Sequence, residues 1–354
     1  MKTNLRSEPA LASIDSTNSF FPVLVAIVLF VATPGAWAAL LSYEGFDYTP
    51  GSSVVGQNGG TGFSQAWQLN SSVGVFTNQP GSLSYRDSVG NMLVTSGGSL
   101  FLQGTNLDNG GAAQPNRLLG YVRGTNGADG GSTWVSFLAV RQGPTTNHPT
   151  LPDNPYPRSA NLSLYNSAPS NLEKLAMGNT ALTVSNVVTL LPQGSLANAK
   201  PSSVSFSRTN LIVVRIDHVS GASLDNAHLF VNPVLGSEPT LSQADTNSIG
   251  EFDFTFNRIR PFAGGDRTSA ASSPYAELVL DEIRIGDTYA EVTPFLPALR
   301  ITRNGNSVTL TWDGTFNLQA ASDVTGPYET VSGATSPHNV TISGAQSFFR
   351  LSGQ

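Results

Sequence analysis

Glu251 and Asp253 stand two residues apart in EFDFTFNRIR (251–260). Successive side chains of a β-strand point to opposite faces, so this spacing aims both carboxylates the same way. Two carboxyl groups on one face can act as nucleophile and general acid at a glycosidic bond. Where a third acid would continue the pattern the chain has Thr255 and Phe256. Without a proton donor for the leaving group, that mechanism loses half its machinery. The competing reading is a solvated strand face beside Arg258 and Arg260. His218 and His228 fall on segments that read as paired strands, so a zinc site across a hairpin is a second reading, supported only by Asp217 and Asp225 nearby. His148, in a Pro-rich loop, and His338, in the tail, read as surface residues. No G-x-S-x-G elbow and no H-E-x-x-H pair occurs. Gly59-Gly60-Thr61-Gly62 lacks the lysine that phosphate cradling needs and reads as a turn. For sugar recognition the useful groups are loop aromatics, which stack on pyranose faces: Trp67, Tyr156 and Tyr275. Packing under their own loops is the competing reading for each. Trp134 and Trp312 sit mid-strand, as core residues.

These candidates need strands to hold them. In 132–141, STWVSFLAVR, both faces are largely apolar, which predicts a central, well-covered strand. In 251–260, Phe252, Phe254, Phe256 and Arg258 point one way and Glu251, Asp253, Thr255 and Asn257 the other, the pattern of an antiparallel strand with one wet face. Further strands are predicted at 82–86, 91–95, 99–103, 117–123, 160–165, 211–218, 227–231, 276–286, 299–303 and 307–312. A short helical turn is predicted near 171–177, NLEKLAM. The Pro-rich segment 143–157 is a long loop within the domain, because proline cannot donate to a ladder. A Pro-stiffened boundary falls at 293–297. Many short strands with turn residues between them imply a sandwich or jelly roll.

Composition agrees. Of 354 residues only 12% are charged while 39% are hydrophobic, which excludes a disordered chain. There are 35 Gly, 22 Pro and no Cys, so disulfides, thiol nucleophiles and Cys-ligated metals are excluded. A net charge of −6 with 18 Lys plus Arg argues against nucleic acid as a partner. Residues 20–33, FFPVLVAIVLFVAT, followed by Pro34-Gly35 and Ala36-Trp37-Ala38, fit a signal peptide over 1–38, cleaved after Ala38. An uncleaved anchor is the competing reading. No other segment is apolar enough to span a bilayer, so cleavage would leave a secreted or cell-surface chain with no membrane span.

Three stretches carry a resemblance. LLSYEGFDYTPGSSVVGQNGGTGFSQAW (40–67), LIVVRIDHVSGASLDNAHLFVNP (211–233) and ELVLDEIRIGDTYAEVTP (277–294) resemble the opening, late hairpin and closing strand of exported bacterial proteins with a laminin-G/concanavalin A-like jelly roll. The tail (299–354), with its VTLTW, LQAASD and FFRL, is similar to a small β-module that ends many such proteins, of PEP-CTERM type, although no sorting helix follows it here. The resemblance implies an all-β chain: a concanavalin A-like/laminin-G-like β-sandwich jelly roll over 39–294, then a small fibronectin-III-like β-sandwich module over 295–354. Glycosidases on that scaffold carry an E-x-D-x-(x)-E strand, which Glu251 and Asp253 match in part. Pairing of the first and last strands would let Glu44, Asp47 and Asp281 converge on a structural calcium; ordinary surface carboxylates are the alternative. The resemblance implies a non-catalytic binding protein for a glycan or polysaccharide. The alternatives are a divergent polysaccharide hydrolase or lyase using Glu251 and Asp253, and a purely structural envelope or matrix component.

Overall fold

The computed structural model describes residues 40–69, 74–104, 112–124, 131–143, 159–167, 172–179, 186–220, 224–264, 276–341 and 346–353. The signal segment 1–38, Tyr156, Tyr275 and nearly all of the Pro-rich loop lie outside these residues. Two compact units result. The larger takes Ala38–Asp87 and Leu93–Pro294; the smaller takes Ser88–Met92 and Phe295–Gln354.

Up to Gly286 the strands are β1 (Ser42–Glu44), β2 (Gln68–Leu69), β3 (Val75–Gln79), β4 (Met92–Leu93), β5 (Ser99–Gln103), β6 (Pro115–Arg123), β7 (Ser132–Gln142), β8 (Ala160–Asn166), β9 (Leu172–Asn179), β10 (Val187–Pro192), β11 (Lys200–Ser205), β12 (Asn210–Asp217), β13 (Asp225–Val231), β14 (Thr246–Phe252), β15 (Phe256–Ala263) and β16 (Glu277–Gly286). Two antiparallel sheets form the larger unit. One is eight-stranded, in the order β14-β13-β12-β7-β16-β5-β3, with β1 also pairing β16. The other is seven-stranded, in the order β11-β10-β9-β8-β15-β6-β2. The architecture is a β-sandwich jelly roll.

Alternation explains the core. Val135, Phe137, Ile212, Val214, Ile283 and Ile285 of the first sheet meet Leu162, Leu164, Leu175, Met177 and Ile259 of the second. Each such side chain contributes about 1.5–3 kcal/mol on burial. The opposite face of the eight-stranded sheet is also covered. Thr288 caps a single turn of helix, α1 (Tyr289–Val292), by accepting from the Glu291 amide. Tyr289 meets the buried Trp134 edge-on at 5.3 Å, and Ser136 Oγ donates to Val292 O at 2.5 Å. This is why β7, at the sheet's centre, is buried on both faces.

Two local expectations are corrected. The helical turn predicted near 171–177 is β9, paired with β8 on one side and β10 on the other. Leu, Glu, Lys, Ala and Met favour helix intrinsically, but two flanking ladders outweigh a few tenths of a kcal/mol per residue. The strand predicted over 251–260 is two strands. β14 ends at Phe252 in the eight-stranded sheet, and β15 begins at Phe256 in the seven-stranded one. A register shift between Phe256 and Arg258 then changes the phase. Phe256 and Ile259 are both in the core, and Arg258 turns to the outer face, opposite to its expected side.

The smaller unit carries β17 (Phe295–Leu296), β18 (Arg300–Asn304), β19 (Ser307–Thr311), β20 (Asn317–Ala321), β21 (Glu329–Thr330), β22 (His338–Thr341) and β23 (Phe348–Ser352). Sheets β18-β19-β22 and β21-β20-β23 have the order of a fibronectin-III-like sandwich. They close on Leu310, Trp312, Leu318, Phe349 and Leu351. No helix among the described residues is long and apolar enough to cross a membrane.

Candidate functional site

The structure does not bring Glu251 and Asp253 to one face. Glu251, at the end of β14, accepts from Lys200 Nζ at 2.9 Å and Ser248 Oγ at 2.8 Å. Those hydrogen bonds, Lys200's first, hold its carboxyl below the ordinary range. Asp253 lies in the crossing between sheets and accepts from Lys174 Nζ at 3.0 Å and Thr255 Oγ1 at 2.6 Å. Burial raises its pKa, but the bonds from Thr255 and Lys174 outweigh that and leave it lowered. A general acid for glycoside cleavage needs a raised pKa, so both shifts run the wrong way.

Nor do the calcium candidates converge. Glu44 faces the core opposite Ile283, completely buried, and its oxygens are filled. Oε1 accepts from the Phe46 amide at 2.9 Å; Oε2 accepts from Tyr48, Trp67 Nε1 and Arg117 Nη1 at 2.8, 2.9 and 2.6 Å. Asp281 lies on the other face of the same sheet, where Leu83 N and Glu282 N donate to it. Asp47 is exposed on the turn after β1. Among the described residues no group of three or more His, Asp or Glu could hold a metal ion. Trp67, expected on a loop surface, is 1% exposed and stacked on Phe46 at 6.0 Å, because its N–H has the buried Glu44 to reach. The two histidines do sit on a hairpin, but apart. His218 Nε2 meets Thr133 Oγ1 at 2.9 Å and its Nδ1 lies 3.4 Å from Asp225, whereas His228 pairs across from Arg215, 3.8 Å from Asp217.

A different constellation stands on the outer face of the seven-stranded sheet. On β8, Leu162 and Leu164 enter the core, so Asn161, Ser163 and Tyr165 point outward. Beside them on β15, Ile259 and Ala263 point inward, so Arg258, Arg260 and Phe262 point outward, opposite Tyr165, Ser163 and Asn161 respectively. Across β8 on its other side, Glu173 of β9 pairs with Tyr165. The Arg260 guanidinium lies 4.3 Å from the Tyr165 ring centre and 5.1 Å from that of Phe262; that of Arg258 lies 5.0 Å from Tyr165. Glu173 braces the group. Ser163 Oγ donates to Oε1 at 2.7 Å; Tyr165 OH at 2.9 Å and Arg260 Nη2 at 3.3 Å donate to Oε2. Arg260 Nη1 also donates to Gln114 Oε1 at 3.2 Å. Ser163, Asn161 and Tyr165 form a buried floor, while Gln114, Leu118, Glu173, Arg258, Arg260 and Phe262 are partly exposed, the Arg260 and Glu173 side chains at 12% and 19%.

Burial, with Glu173 accepting its proton, pushes Tyr165 well above the ordinary phenol range, opposed by the two arginines. In its neutral form it donates to Glu173. Glu173 is the carboxylate this face presents among the described residues. Apart from Arg258 and Arg260, these residues escape sequence reasoning. The usable signal is the alternation of Asn161-x-Ser163-x-Tyr165 against Leu162 and Leu164, polar where a solvent-facing strand is polar.

No family model and no curated protein matches the chain. Among solved structures it is similar to an endo-β-1,4-glucuronan lyase from the fungus Trichoderma reesei, with a TM-score of 0.40 and 11% identity over 69% of this chain and 97% of that one. An endo-1,3-β-glucanase from Streptomyces sioyaensis gives a TM-score of 0.38 and 15% identity over 72% and 98%. The catalytic domain of a β-glucanase from Podospora anserina gives 0.33 and 12% over 74% and 90%. At these scores the likeness says nothing of chemistry.

Proposed function

We propose that the protein is an exported, non-catalytic carbohydrate-binding protein whose glycan lies across the outer face of the seven-stranded sheet. One observation carries this reading. On the outer face of the eight-stranded sheet α1 packs over Trp134 and Ser136 of the central strand, whereas on the seven-stranded sheet Gln114, Glu173, Arg258 and Arg260 are partly exposed beside a buried floor of Asn161, Ser163 and Tyr165. Planar amides, hydroxyls and fixed charges beside an aromatic side chain are the groups that hold sugar hydroxyls. Export rests on the apolar run at 20–33 and the small-x-small site at Ala36–Ala38.

A glycan array probed with the full mature chain tests the reading. Binding should appear for the unmodified protein and vanish in Leu118→Glu, which sets a carboxylate beside Arg258 across the β6–β15 pairing. Silence across the array overturns the proposal and leaves a structural envelope role. Release of new reducing ends or of unsaturated sugars from any bound polymer would replace binding with hydrolase or lyase activity.

A further inference from the structure

We infer that Asn58-Gly59 is a self-modifying site, at which the chain converts its own asparagine amide into a succinimide and then into aspartate or isoaspartate. The glycine turn Gly59-Gly60-Thr61-Gly62 plays no part in the carbohydrate reading. In an Asn-Gly pair the glycine nitrogen can attack the asparagine Cγ and close a five-membered ring. That reaction asks for a polarised amide carbonyl, a path for the nitrogen's proton and no side chain in the way. Each is present. Asn58 Oδ1 accepts from Arg117 Nη2 at 3.0 Å. The guanidinium is fixed there by Glu44 Oε2 at 2.6 Å and Gln65 O at 2.8 Å, over the Phe63 ring. Gly59 N donates to Tyr48 OH at 3.1 Å, and Tyr48 OH donates to Glu44 Oε2 at 2.8 Å. A Cβ at Gly59 would meet Tyr48 Cε1 at 2.8 Å, so glycine is what lets the backbone lie against that hydroxyl. Asn58 itself is exposed to water.

As Gly59 N attacks Cγ, its proton passes to the Tyr48 oxygen while the Tyr48 proton passes to Glu44 Oε2. Burial, and then the Glu44 charge, raises Tyr48 well above the ordinary phenol range, so the hydroxyl hands a proton on without resting as a phenolate. Negative charge developing on Asn58 Oδ1 meets the Arg117 N–H already aimed at it. The Cγ–Nδ2 bond then breaks. Nδ2 leaves as ammonia with a proton taken from solvent, and Glu44 gives one back through Tyr48. One C–N bond forms, one breaks, and nothing is oxidised. Water opens the succinimide at either carbonyl. The aspartate product sets a new carboxylate beside Arg117. The isoaspartate product adds a carbon to the main chain just ahead of Thr61, whose N and O pair with Tyr43 of β1 at 2.9 and 3.1 Å.

Peptide mapping by mass spectrometry, on the full mature chain aged in buffer and in urea, tests this. It reads amide-to-acid conversion at Asn58 and, as an internal reference, at the exposed Asn304-Gly305 of the β18–β19 turn. In the folded protein Asn58 should convert about tenfold or more faster than Asn304, an advantage lost in urea, where only the shared dipeptide counts. Tyr48→Phe, shown to be folded by circular dichroism, should bring Asn58 down to its rate in urea. It should also change the pH profile. With the relay intact the rate climbs little from weakly acidic to weakly alkaline pH; without it the rate should follow hydroxide. Conversion of Asn58 no faster in the folded chain than in urea overturns the proposal, and so does an unchanged rate and pH profile in folded Tyr48→Phe. Should Tyr48→Phe fail to fold, the comparison of folded and urea-treated unmodified protein decides alone.

Discussion

Glu44 and Arg117 show what a single residue does in this fold. Both side chains are buried, 1% and 2% exposed, at 2.6 Å from each other. Arg117 also lies 4.1 Å from the Phe63 ring centre and donates to Gln65 O and Asn58 Oδ1. Removing one member of a buried pair leaves the other as an uncompensated charge, at about 3–5 kcal/mol. Arg117→Met should lose stability on that scale in urea unfolding, and adding Glu44→Gln should recover part of it. A double variant no better than the single one would mean that packing over Phe63 dominates. Because Glu44 is filled by protein donors and Asp281 points to the other face, millimolar EDTA should leave the melting temperature unchanged. A downward shift would restore the calcium expectation. Glu44 was visible in the sequence as a lone acid of the opening strand. Its cation 73 residues further on was not, since no local spacing links two strands of different sheets.

At the scale of elements, β16 holds the most unusual geometry. Asp281 and Glu282 are fully buried at a register shift, and Glu282 has a left-handed φ of 56°. Glu282 is held by Arg284, Tyr43 and the Ser96 amide. Burial, then the neighbouring Glu282 charge, raises the Asp281 pKa from 3.8 to about 8. Burial raises Glu282 too, against Arg284. A carboxyl raised on folding stabilises the native state in its protonated form. That contribution is complete below 3.8 and is lost as pH climbs through about 8. The urea midpoint should therefore fall from weakly acidic to weakly alkaline pH, and Asp281→Asn should flatten the fall. An unaltered pH profile in that variant would place the titration elsewhere. Period-2 patterns made the hairpin of β12 and β13 and the strands β7 and β16 readable. The bulges were not, because one extra residue flips every later side chain and leaves no compositional trace. That is how Arg258 changed faces and how EFDFTFNRIR came to span two sheets.

For the whole molecule, the two units have separate hydrophobic cores, so damage to one should stay local. Trp312 is 5% exposed within the tail sandwich, and Trp312→Ala should cost about 3–5 kcal/mol there. Amide hydrogen exchange should show lost protection across β18–β23 with β7, β12 and β16 unchanged. Loss in both would mean that the units unfold as one. The sequence by itself determined the antiparallel β-sandwich class, the weak charge and the lack of thiol chemistry. Those properties follow from composition and from contacts between near neighbours along the chain. Only the tertiary structure decided which acids are spent on internal cations, which aromatics are sealed in the core, and which sheet face presents Tyr165, Glu173, Arg258 and Arg260. A sandwich sets side by side residues about ninety positions apart, as it does Tyr165 and Arg258. Their faces depend on bulges and crossings that only the folded ladder defines.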